Sequence, residues 1–251
     1  MRHASSDRAA AYAGRVPLLA LDTATALTTV AVVSTPGEVL AESSHLDARR
    51  HAEALPRLVR EALDVAGVAP GDLDLIAVGV GPGPFTGLRV GVAFARATAH
   101  ALGIPAVGVM TLDAIARRWA EGHPGPFTVV TRSRRVEVAW AAYDAWADGS
   151  LQRIEGPLIQ PDPDYPRHGR VIGDVDGVDE RRLPVAADLG RFVLERIAAG
   201  EPLPGDREWP EDSSDGSGAP TASLLASLVS EGRWLLPALP LYLRRPDAVP
   251  A

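Results

Sequence analysis

Apolar residues along this chain change period twice. Between Leu18 and Ser43 they fall into three short β-rich runs, LLALD, TTVAVVS and EVLAES, split by small and polar residues and by the turn TPG. That pattern predicts a three-stranded meander. Helical spacing takes over at about 48–66, then a strand near 74–80, a helix at about 86–102, the strand PAVGVM and the helix LDAIARRWAEG. The order is βββαβαβα. From Phe127 the opening repeats: FTVVTRS, VEVAWAAYDA, the turn DG and LQRIEGPLI predict a second meander, followed by a strand-like RVIGDV at 170–175 and a helix at about 186–199. A repeated order implies a duplicated α/β fold whose second copy is pared down.

The remaining segments set the organisation. Residues 1–15 read as a flexible extension, 16–116 as the first unit, 117–200 as the reduced second unit, and 221–251 as a C-terminal segment returning onto the first. The stretch 201–220, rich in Pro, Gly, Ser and acid, reads as a flexible insertion. Leu224, Leu225, Leu228 and Val229 give 221–236 an amphipathic helical pattern.

Composition removes whole classes of chemistry. The 251 residues are 46% hydrophobic, enough for a substantial core, and carry a formal net charge of -7, which argues against a broad electrostatic grip on nucleic acid. There is no Cys, so thiolate nucleophiles and cysteine-ligated zinc are excluded; there is no Lys, so a Walker lysine and a Schiff base are excluded too. No apolar run of about 18 residues occurs, so no membrane is expected and the cytoplasm is the expected location.

The run GPGPFTGLRVG at 81–91 joins a predicted strand to a predicted helix. Gly81, Gly83 and Gly87 permit positive φ or close approach of a backbone or ligand, Pro82 and Pro84 stop the strand, and Thr86 stands where an N-cap belongs. Two readings follow: a rigid connection, or an anion site at a helix N-terminus. The helix beyond it shows no wide polar face, since Val90, Val92, Ala93, Phe94, Ala95, Ala97, Ala99 and Ala101 nearly encircle it. A helix apolar all round is expected to be covered on both sides.

Residues 72–91, together with LALDTATALTTVAVV at 19–33, HAEALP at 51–56 and PLYLRR at 240–245, resemble the TsaB (YeaZ) family. The resemblance is dense from Leu18 to Ala116. It implies an actin-like, ribonuclease-H-like duplicated fold with two subdomains. It also implies a non-catalytic subunit that pairs with TsaD as a heterodimer and activates it, with TsaE in the cycle, for threonylcarbamoyl transfer to the tRNA adenosine beside the anticodon. ATP and metal are then expected on the partner subunits, with tRNA met only through the complex and a homodimer open when the chain is alone.

Candidate residues divide along the same lines. In ATP-using proteins of this architecture the turn matching Asp22 and Thr23 handles metal and phosphate, and a Gly-Gly pair receives adenosine; here Gly173 and Gly177 are separated. Asp22, Thr23, Gly81, Gly83 and Gly87 are therefore read as vestigial, an actin-like ATPase or phosphotransferase being the rival. His51 matches the first His of the His-x-x-x-His metal pair of TsaD proteins, but its partner position is Leu55, which also counts against metalloprotease activity. The segment TRSRRVEVAW at 131–140 departs from the family's TDARRxEVYW at Arg132 and Ala139 and reads as an exposed strand face. The expected partner surface is formed by His51, Leu55, Leu58, Val59 and Ala62 of one helix with Arg89, Ala93, Arg96 and Ala97 of the next.

Overall fold

A computed structural model describes residues 17–204 and 231–243; the expected N-terminal extension, most of the 201–220 insertion and residues 221–230 lie outside them. Strands β1 (Pro17–Asp22), β2 (Leu27–Ser34) and β3 (Glu38–Leu46) form the first meander. Then come helix α1 (His51–Ala66), β4 (Leu75–Gly79), α2 (Phe85–Leu102), β5 (Ala106–Val109) and α3 (Thr111–Ala120). The second meander is β6 (Gly125–Arg134), β7 (Glu137–Ala145) and β8 (Leu151–Pro161), followed by β9 (Arg170–Gly173), β10 (Glu180–Arg181), α4 (Ala186–Ala198) and β11 (Leu235–Pro237).

The two sheets reveal the duplication. The first runs β11-β5-β4-β1-β2-β3 and the second β10-β9-β6-β7-β8. In each, an antiparallel meander leads from the centre to one edge, while its first strand pairs in parallel with the next strand on the other side, β1 with β4 and β6 with β9. This is the actin-like arrangement, with the helices that follow the meander and β4 in the first copy missing from the second.

Alternation along β1 decides which helix packs where. Leu19 and Leu21 face α1 and α2, where Leu55, Leu58, Val59, Ala62 and Leu88 complete the larger core. Leu18 and Ala20 face α4, with Leu189, Phe192 and Val193. Gly190 lets α4 approach closely: a Cβ there would sit 2.9 Å from Val33. Helix α4, assigned by sequence to the second unit, thus serves the first sheet, so the expected boundary at 117–200 follows chain order and not packing.

Other differences have local causes. Helix α1 starts at His51, because 48–50 form a turn. Thr86 is not the N-cap of α2. Pro84 is, at φ -57° and ψ 129°, and its missing N–H costs nothing there. The two-residue β10 has no apolar signal to read. Leu235 and Leu236, expected in a helix, pair antiparallel with β5 at the sheet edge.

The halves are tied by a buried charge cluster. Asp113 of α3 accepts from Tyr143 Oη (2.8 Å) and from Arg153 Nε (3.1 Å) of the second sheet, and a second Arg153 nitrogen reaches its other oxygen. We expect Asp113→Ala to cost about 3–5 kcal/mol, because it strips a buried guanidinium of its carboxylate. Urea denaturation checks this.

Candidate functional site

The turn after β1 lies on a row of glycines. Gly79, Gly83, Gly87 and Gly91 are spaced four apart, and each faces residues 22–24 so closely that any Cβ would collide. Asp22 Oδ2 blocks Gly79, the Ala24 carbonyl Gly83, the Thr23 carbonyl Gly87 (2.6 Å) and the Thr23 hydroxyl Gly91. Among the three glycines picked out by sequence only Gly81 has positive φ, at 93°. Gly83 and Gly87 are needed for close approach, which corrects the positive-φ reading for those two.

Thr23 acts through its hydroxyl. It donates to the Gly87 carbonyl (2.7 Å) and accepts from the Gly91 N–H (3.1 Å), the two groups that would pair in a regular helix. A side chain from the first hairpin is therefore threaded into the first turns of α2. The sequence reading missed Thr23 in this role, along with Gly79 and Gly91, although the four-residue glycine spacing carries the signal.

Asp22 points into the molecule. It is fully buried, accepting from the Ala24 N–H (2.7 Å) and from the Thr111 hydroxyl (2.8 Å) at the start of α3. Burial raises its carboxyl from 3.8 to about 6, and those two hydrogen bonds offset only part of that cost. A carboxylate closed off in this way presents no open ligand position.

His51, 6% exposed, sits on the first turn of α1 with Nδ1 2.7 Å from Thr28 Oγ1 and its ring against Gly87. Burial lowers its pKa, which favours neutral imidazole. Among the described residues no three His, Cys, Asp or Glu side chains cluster as metal ligands, and no helix is long and apolar enough to cross a membrane.

The expected partner surface divides. His51, Leu55, Leu58, Val59 and Ala62 are buried against the chain's own sheet, so they lie beneath any surface α1 offers. Arg89, Ala93, Arg96 and Ala97 of α2 are exposed, with Ala101 beyond them. The expectation that α2 is covered on both sides is also corrected: only the face with Gly87, Leu88, Gly91, Val92, Ala95 and Ala99 is buried. The exposed apolar residues on that side are the alanines Ala93, Ala97 and Ala101, each with little apolar area to show. The C-terminal strap reaches the first turn of α2, where Tyr242 stacks on Phe85 (5.2 Å) and accepts a hydrogen bond from Arg89 Nε (2.6 Å).

In the second half, TRSRRVEVAW forms the β6–β7 hairpin. Only Arg134, Arg135 and Val136 are exposed, because strands enter the core on either side, and the reading as an exposed strand face is corrected accordingly. Gly173 lies in β9 and Gly177 in the loop after it, at φ 76°.

Two outcomes test this geometry. Gly83→Val drives a side chain into the Ala24 carbonyl and is expected to cost about 3 kcal/mol, whereas Gly71→Ala, with open space and ordinary backbone, stays within about 0.5 kcal/mol. Thermal melts compare them. For Asp22, the folded state holds its proton more tightly than the unfolded chain, so stability falls as pH rises from about 4 to 6 and then levels off. The gap between 3.8 and about 6 corresponds to roughly 3 kcal/mol. Asp22→Asn lacks that ionisation, so its stability relative to wild type should rise by about that amount between pH 4 and 7 in denaturant titrations.

A family model described as TsaD, tRNA N6-adenosine threonylcarbamoyltransferase, matches residues 38–157. An uncharacterised protein of Mycobacterium leprae is 40% identical over 237 residues, 93% of this chain, which spans 56% of that longer protein. A solved structure of YeaZ from Pseudomonas aeruginosa superposes with a TM-score of 0.64 at 28% identity, covering 75% of this chain and 95% of that one. The tRNA threonylcarbamoyladenosine biosynthesis protein TsaB of Escherichia coli is 33% identical over 206 residues, 73% of this chain and 88% of its own length. With a YeaZ superposing on the fold and a TsaB aligned over most of its own length, the chain belongs to the TsaB (YeaZ) family.

Proposed function

We propose that this chain, a protein of tRNA threonylcarbamoyladenosine biosynthesis, is the non-catalytic subunit that pairs with TsaD and activates it for threonylcarbamoyl transfer to the tRNA adenosine next to the anticodon. The observation that carries the reading is the outward face of α2, where Ala93, Ala97 and Ala101 lie exposed beside Arg89 and Arg96. Small side chains let a partner helix come close, and the arginines supply hydrogen-bonding cations at the rim. Because the other side of α2 is fixed to the sheet, little order has to be imposed when a partner binds. Activation then means that this rigid surface binds the competent arrangement of TsaD better than the incompetent one.

ATP, metal and tRNA belong, on this reading, to TsaD and TsaE. The support lies in Asp22, whose oxygens are taken up by Ala24 and Thr111, and in His51, whose metal-pair partner is Leu55. The purified chain alone is expected neither to hydrolyse ATP nor to modify tRNA; turnover abolished by Asp22→Ala would favour the ATPase instead.

The direct test is co-purification with the host's TsaD. Ala93 and Ala97 are both exposed, so Ala93→Glu and Ala97→Glu should keep the wild-type melting temperature. Each should weaken association by more than about 2 kcal/mol, roughly thirtyfold, by placing a bulky carboxylate in a close helix contact. Normal co-elution of both variants would place the interface elsewhere.

A further inference from the structure

The first turns of α2 carry an arginine that is exposed yet clamped. Arg89 lies one turn after Phe85, and its guanidinium carbon stands 3.6 Å from the centre of the Phe85 ring. Its Nε donates to the Tyr242 hydroxyl (2.6 Å), and the Tyr242 ring, stacked on Phe85, is centred 5.7 Å from the same carbon. Tyr242 is itself held in place. Leu239 and Leu241 just before it are buried, and the Leu241 N–H donates to the Val80 carbonyl (2.8 Å) just beyond β4. Those two leucines already fasten the strap, so the clamp acts chiefly on Arg89.

The clamp occupies only Nε and one face of the guanidinium. Among the described residues no carboxylate pairs with its terminal nitrogens, and α2 itself contains no acidic residue. The outer edge of a planar fork of this kind matches a carboxylate, which takes two parallel N–H bonds. Ala93 and Ala97 follow Arg89 along the same exposed face. A nucleic-acid backbone fits this surface less well, because the chain carries a net charge of -7 and the neighbouring α1 exposes Glu53, Glu61 and Asp64.

We propose that Arg89 anchors the TsaD interface by pairing through its terminal nitrogens with one Asp or Glu of TsaD, and that Tyr242 is its positioning residue; this rests on the pairing proposed above. A clamped side chain has little rotamer freedom left to lose on binding, whereas an ordinary surface arginine loses most of what its ion pair gains. The alanines beyond it let the TsaD helix that bears the carboxylate lie close.

The test is the affinity of the full chain for the host's TsaD, measured by titration calorimetry, with a melting temperature recorded for every variant. Arg89→Gln should weaken binding about tenfold, the size of one lost charge-assisted hydrogen bond, and Arg89→Lys nearly as much, since lysine lacks the fork. Tyr242→Phe keeps the stacked ring and loses only the hydroxyl. It should weaken binding about fivefold alone and not at all in the Arg89→Gln background, a dependence that a general effect on the strap would not show. Changing the acidic residues of TsaD singly to Asn or Gln should find one whose loss has no effect once Arg89 is replaced. Arg191→Gln, on α4 across the first sheet, should bind like wild type. If the unaltered chain does not bind TsaD, the pairing itself is refuted. If it binds and folded Arg89→Gln binds as tightly, the pairing stands and the anchor is wrong. The anchor is equally wrong if Arg191→Gln loses as much, if no TsaD carboxylate couples to Arg89, if Tyr242→Phe has the same effect with and without Arg89, or if the chain alone retains tRNA through Arg89.

Discussion

The first hairpin and the second helix of this protein meet at a single hydroxyl. Thr23 donates to Gly87 and accepts from Gly91, and this exchange requires the turn at 22–24 to lie directly on the backbone of α2. Direct contact is what removes the side chains at positions 79, 83, 87 and 91. A Cβ at any of them would occupy space already held by Asp22, Thr23 or Ala24. Four glycines weaken a chain segment entropically, each by roughly 0.5–1 kcal/mol relative to alanine, so the fold sacrifices local propensity for this contact.

Much of this architecture can be read from the letters. The alternation of LLALD and TTVAVVS, the helical spacing after it and the repeat from Phe127 give both sheets, because apolar periodicity reflects burial and burial decides pairing. Short-range pattern reaches less far where the signal depends on neighbours distant in sequence. Glu180 and Arg181 form a strand only because β9 lies alongside, and Leu235 and Leu236 join a sheet whose partner strand ends at Val109.

The helices show why burial and binding are hard to separate in sequence. His51, Leu55, Leu58, Val59 and Ala62 fall on one face of α1, and a helix packed on a sheet has one such face, which belongs to the sheet. On α2 the apolar residues encircle the axis, and side-chain type does not separate the faces: Leu88, Val92, Ala95 and Ala99 turn inward, while Ala93, Ala97 and Ala101 turn outward. Asp22 was legible as a turn residue. Its closure was not, because the Thr111 hydroxyl that caps it lies 89 residues away.

Helix α3 carries the constraint onward. Thr111 holds Asp22 at the glycine-seated turn, and two residues later Asp113 holds Tyr143 and Arg153 of the second sheet. Opening the halves would separate Asp113 from a guanidinium that is itself nearly buried, exposing the energetic cost of both desolvated charges at once. A continuous set of buried polar contacts therefore runs from the first turns of α2 through Asp22 and α3 into the second half. The second half, lacking the helices that cover the first sheet's outer side, needs that connection to stay in place. A partner meeting the outer face of α2 thus meets a surface already held from behind by both halves of the molecule.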